Sequence, residues 1–115
     1  MDQETAREYC LSLPHATEEV LWKKDLVFKI GGKMFAVIAL DPAASHVMSF
    51  KCTPDEFADL VEREGIDPAP YVARYHWVAI ARFNALPRAE LKRLIRDSYE
   101  MVIAKLPGKI KARLR

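Results

Sequence analysis

FKIGGKMFAV, residues 28–37, decides the fold. Two glycines and a lysine divide two apolar runs, a pattern that phosphate-cradling loops and tight turns share. A Walker loop needs a longer spacer before its Gly-Lys pair and a Ser or Thr after it to reach magnesium, whereas Met34 comes after Lys33 here. A dinucleotide fingerprint needs further glycines and a helix behind them. Lys33 instead leads into Met34-Phe35-Ala36-Val37-Ile38-Ala39-Leu40, short and rich in strand formers. Two such runs joined by Gly-Gly predict a β-hairpin, because the turn that matches strand twist needs positive φ and glycine supplies it cheaply.

A two-residue turn also predicts the register: Ile30 opposite Lys33, Lys29 opposite Met34, Phe28 opposite Phe35. Side chains then sort into two sets. Leu26, Phe28, Ile30, Phe35 and Val37 hold both phenylalanines and are assigned to the core. Val27, Lys29, Met34, Ala36 and Ile38 fall on the other face. Extending the alternation to later strands puts Lys29, Met34, Ser49, Lys51, Trp77 and Ala79 together on the face away from the core. Lysines around a large aromatic suit a nucleic-acid strand, with charge for the backbone and a ring for a base. The same residues also fit a half-exposed sheet on which lysines are solvated and Trp77 packs against loops.

The rest of the chain supplies the helices. Asp2 caps a first helix with Ala6, Tyr9, Cys10 and Leu13 at helical spacing, and Pro14 stops it. Glu18–Trp22 reads as an edge strand and His46–Lys51 as a later one. Thr53-Pro54-Asp55-Glu56 is a capping box with proline at the first helical position, and Gly65 is placed to end that helix. The prolines after Ile66 predict an extended loop to Arg74, before a last strand at His76–Arg82. Arg88–Leu106 is the longest helix, with Leu91, Leu94, Ile95, Tyr99, Val102 and Leu106 along one side. The expectation is an α+β fold: an antiparallel sheet of about four to five strands with helices packed on one face.

With 115 residues, half of them hydrophobic, the chain forms one domain, residues 1–115, with a basic C-terminal tail at 107–115. The net charge of +2 is mild, but the last eleven residues, KLPGKIKARLR, carry five bases and no acid. No signal peptide opens the sequence and no apolar run approaches a membrane span, so a cytoplasmic location without membrane association is expected. Cys10 and Cys52 have no C-x-x-C or neighbouring histidine, so both are expected to be buried reduced thiols, and no metal site or cofactor is predicted. Cys52 does precede a helix N-terminus, where the dipole would lower a thiol pKa. His15, His46 and His76 lack a nucleophile or carboxylate at informative spacing, so no enzyme activity is expected.

The motifs VFKIGGKMFAV, FKCTPDEF, YHWVAI and LPRAELKRLIRDSYEMVIAKLP resemble the MmcQ/YjbR family, in the family's order and from Leu13 to Pro107. The resemblance implies a small bacterial protein with a CyaY-like fold and carries the family's DNA-binding label, for which a paired-wing mode is proposed. Its pattern falls on Lys29, Gly31, Gly32, Lys33, Met34, Phe35, Lys51, Cys52, His76, Trp77, Ser98, Tyr99 and Lys105. Tyr75 stands where the family often has a base, and Val78-Ala79 where it has a polar pair; both make the surface less suited to DNA. The acidic ridge that iron-binding frataxin-like proteins use is missing. Two functions are therefore expected. The first is weak, salt-dependent DNA binding through Lys29, Lys33, Met34, Lys51, His76 and Trp77, helped by Lys109, Lys111, Arg113 and Arg115. The second is a protein or peptide adaptor, or a homodimer, that uses the open apolar face.

Overall fold

The computed structural model describes residues 1–114, so Arg115 of the basic tail lies outside the described residues. The helix α1 (Gln3–Ser12) leads into strands β1 (Thr17–Leu21), β2 (Asp25–Ile30), β3 (Lys33–Ala39) and β4 (Met48–Lys51). Then come α2 (Pro54–Leu60), β5 (Ile66–Pro68), β6 (Trp77–Ile80), the long α3 (Arg88–Ala104) and α4 (Gly108–Arg113). All strand pairs are antiparallel, in the order β1-β2-β3-β4-β6-β5. The α+β class is as expected, but the sheet has six strands. The additional one, β5, lies in the proline-bearing stretch that reads as a loop. Its position at the sheet edge explains the difference, because an edge strand tolerates a residue that cannot donate to the ladder.

Both predicted caps form. Asp2 accepts from the Thr5 amide at 2.8 Å, and Thr53 accepts from the Glu56 amide at 3.2 Å. Gly65 does not end α2, which closes earlier at Val61; its positive φ of 82° serves the turn into β5 instead. Pro107-Gly108 ends α3 as expected, and the basic tail continues as α4.

The hairpin forms, but its register departs from the expected one at Phe28. Lys29 pairs with Met34 and Ile30 with Lys33, yet Phe28 pairs with Ala36. Phe35 is therefore an extra residue, a β-bulge, and every side chain beyond it changes face. Ala36 and Ile38, expected on the open face, are buried in the main core, and Val37, expected in the core, faces the open side. Phe35 and Ala36 point inward in succession, which strict alternation cannot anticipate.

Ser98 explains why the bulge is held. From the buried side of α3 its hydroxyl donates to the Phe35 carbonyl at 2.7 Å and accepts from the Lys51 amide at 3.0 Å. It is the buried polar residue of the core, fully enclosed, and it satisfies two strand groups where the ladder is interrupted. Around it, Phe28, Phe35, Phe50, Ile38, Leu91, Leu94 and Ile95 pack the sheet against α1 and α3. Tyr99 meets Phe35 edge-on at 5.4 Å and donates its hydroxyl to the Pro14 carbonyl at 2.5 Å, fastening the exit of α1. At the hairpin tip, a Cβ on Gly31 would lie 2.6 Å from a methyl of the buried Leu106, whereas Gly32 has nothing within 4 Å.

Ser98→Ala is expected to lower the unfolding free energy by about 1–3 kcal/mol, because it strands a buried carbonyl and amide. Gly31→Ala is expected to cost about 1–3 kcal/mol, and more than Gly32→Ala, since only the former must displace a packed side chain. Both predictions are checked by denaturant midpoints. Equal midpoints for the two glycine variants would sink the packing explanation.

Candidate functional site

On the open face the bulge turns Val37 toward Trp77, Ala79, Ala69 and Val72, which form a second apolar cluster. This cluster lies beneath a trough of about 530 Å³ that crosses the sheet. Its floor includes Val27, Met34, Val37, Ser49 and Ala79. Its walls are two exposed aromatics: Trp22, just after edge strand β1, and Tyr71, just after edge strand β5. Their exposures, 78% and 99%, are the highest among the large apolar side chains of the described residues. Both hold positive φ, 53° and 68°, a conformation that bulky residues seldom adopt. At the rim, His46 bridges the loop before β4 to β5. A carboxylate only accepts, so Nε2 donates to Asp67 at 2.9 Å, and Nδ1 shares a hydrogen bond of 3.0 Å with the Ser45 hydroxyl. The chain crossing that brings Asp67 to His46 supplies a carboxylate that sequence spacing does not show.

Of the residues picked from sequence, Met34 and Trp77 line this trough. Trp77 is only 5% exposed, covered by the segment after β5, so the accessible aromatic surface comes from Trp22 and Tyr71. Lys29 shares the open face with its partner Met34, but its ammonium lies 3.4 Å from Glu19 and its charge is offset there. Lys33 is exposed at the hairpin tip, whose Gly31 packs against Ile110 of α4. Lys51 and His76 do not join the trough. They line a second cleft of about 420 Å³ with Lys105 and Met101 of α3, and His76 packs edge-on against Phe57 at 5.7 Å. Lys51 lies opposite Trp77 in the strand register, as alternation predicts, but it lines this cleft and not the trough.

Trp22 and Tyr71 were missed because each reads as structural punctuation, one at the end of a strand and the other beside Pro70. The signal available was a large aromatic set among turn residues. Both cysteines are free and buried, as expected, and the helix N-terminus does not activate Cys52. Burial, with the nearby Glu56 carboxylate adding to it, pushes its thiol up to about 11 instead of down, and burial pushes Cys10 to about 12. Desolvation outweighs the short helix's dipole. At neutral pH both thiols are expected to react with iodoacetamide far more slowly in the folded protein than after denaturation. Rapid labelling of the native Cys52, followed by mass spectrometry, would contradict this environment. Among the described residues, no group of three or more His, Cys, Asp or Glu is placed to hold a metal, and no helix is long and apolar enough to cross a membrane.

The chain is similar to known proteins over most of its length. The YjbR family model matches residues 11–101. The uncharacterised protein YbdF of Escherichia coli O157:H7 is 28% identical over 97% of this chain and 93% of its own length. The uncharacterised protein YjbR of Escherichia coli K12 is 26% identical over 87% and 86%. Among solved structures, the Deinococcus radiodurans protein DR2400, described as a DUF419 domain, superposes with a TM-score of 0.85 at 26% identity, covering 98% of this chain and 87% of that one. A Pseudomonas syringae protein shares the fold with a TM-score of 0.74 at 22% identity, covering 88% and 98%. With the matched residues running from the end of α1 to near the end of α3, the chain belongs to the YjbR family.

Proposed function

We propose that this protein is a non-enzymatic binding module whose open sheet face takes up an apolar segment of a protein partner. The observation that carries the reading is the trough itself: an apolar floor between two fully presented aromatic walls. Exposed aromatics flanking an apolar concavity are the usual anchors of recognition, because they bury large area at small cost in side-chain entropy. Ser49 on the floor, with Asp25 and His46 at the margins, offers the few polar groups that would orient a bound chain. A second copy of this protein fits less well. A dyad contact must be self-complementary, and two facing concavities would enclose a void.

DNA on this face has weaker support, since Lys29 is offset by Glu19 and Trp77 is covered. One observation keeps a nucleic-acid reading in view elsewhere. Gly31 packs against Leu106 and Ile110, which sets the hairpin turn before Lys33 against the helix that carries Lys109, Lys111 and Arg113. Such a contact would be weak and set by charge, in keeping with a pI of about 8.6.

Selection of displayed peptides on the purified protein tests the main reading. Apolar peptides are expected to bind with affinity nearly independent of salt, to shift the emission of the exposed Trp22, and to lose about tenfold or more on Val37→Lys or Trp22→Gly. Peptide binding unaffected by either variant would overturn the trough as the site. A dimer by light scattering that dissociates on Val37→Lys would replace the peptide with a second copy. Binding of duplex DNA that weakens with salt and with Lys33→Ala, in the absence of peptide binding, would favour the nucleic-acid reading.

A further inference from the structure

The second cleft is unlike the trough. Lys51 from the end of β4, Arg74 from the 3₁₀ turn Ala73–Tyr75 and Lys105 from the end of α3 line one concavity, with Tyr75 and Met101 as its apolar walls. Among the described residues no acidic side chain lines it, and none of the three cations is in an ion pair. What sets the cluster apart is that three cations from separate parts of the chain line one concavity. Three like charges in one recess repel one another, and an anion between them removes that repulsion.

We infer that this cleft binds the phosphate of a small nucleotide-class ester, with the base against Tyr75 and Met101. Arg74 is already held over the Tyr75 ring at 4.8 Å, which fixes its guanidinium at the edge of the recess. The planar fork suits two phosphate oxygens, while Lys51 and Lys105 approach as point charges. A dianion matches this set better than a single carboxylate does. Burial and then the neighbouring Lys105 push the Lys51 ammonium below its usual range, the unfavourable arrangement that a bound anion would reverse. His76, in the left-handed conformation with φ 64°, turns the chain between Tyr75 and Trp77 and so sets the wall of the cleft. A volume of about 420 Å³ suits one nucleotide, not a strand. The inference is independent of what the trough binds.

Calorimetric titration with AMP, ribose 5-phosphate, adenosine, inorganic phosphate, succinate and a short single-stranded oligonucleotide tests it. AMP is expected to bind, ribose 5-phosphate and inorganic phosphate more weakly, and adenosine and succinate hardly at all. Arg74 and Lys105 are exposed, so Arg74→Ala and Lys105→Ala should fold normally by circular dichroism while weakening AMP about tenfold each. Trp22→Gly, in the trough, should leave AMP binding unchanged. The inference is overturned if AMP does not bind, if neither cleft variant weakens it, or if the oligonucleotide binds through these residues while AMP does not. Succinate binding as well as AMP would replace the phosphate ligand with a carboxylate one.

Discussion

The hydroxyl of Ser98 is the contact on which the arrangement of both surfaces depends. A bulge leaves strand carbonyls and amides without ladder partners, and in a buried position such groups need another partner. Ser98 meets that need twice, at Phe35 on β3 and at Lys51 on β4, from one side chain on α3. The helix is thereby set in register with two strands, and the bulge is fixed at Phe35. Everything beyond Phe35 on β3 then faces opposite to where an unbroken strand would point it.

The trough results from that inversion. Had Ala36 and Ile38 faced outward, Ile38 would have been spread over an open sheet, and Val37 would have competed for space beneath α3. With the bulge, Ile38 is fully buried and Val37 joins Trp77 and Ala79 under the segment after β5. The open face acquires a small core of its own, a margin of exposed aromatics, and few uncompensated charges. A surface that composition suggests is basic becomes apolar, and the cations collect at the sheet end and the hairpin tip.

Backbone conformation marks the same places. Trp22, Tyr71 and His76 all take positive φ, and each lies at a wall of the trough or the cleft. Side chains of this size adopt that region at some cost, which the surrounding packing must offset. His15 and Lys23 share the conformation in turns away from either concavity's floor, so the strain by itself does not define a site. Its coincidence with exposed aromatic surface at Trp22 and Tyr71 is what separates them from ordinary turns.

Local chemistry made much of the fold legible in the sequence. Gly31-Gly32 dictated a hairpin because glycine alone reaches positive φ without cost, Asp2 and Thr53-Pro54 dictated helix starts by capping, and the spacing along α3 dictated its buried side. The family motifs carried the same information in compressed form: Gly31 answers to Leu106, Ser98 to the bulge, and Tyr99 to Pro14. What the sequence could not determine were the consequences of residues meeting across long separations. Phe35 is an extra residue because Ser98, far along the chain, binds its carbonyl; Lys51, opposite Trp77, lines a cleft with residues at the end of α3. Trp77 is covered by a segment that hides a sixth strand among prolines. Periodicity assumes an uninterrupted ladder, and only the tertiary packing of α3 on β3 and β4 decided where that ladder breaks.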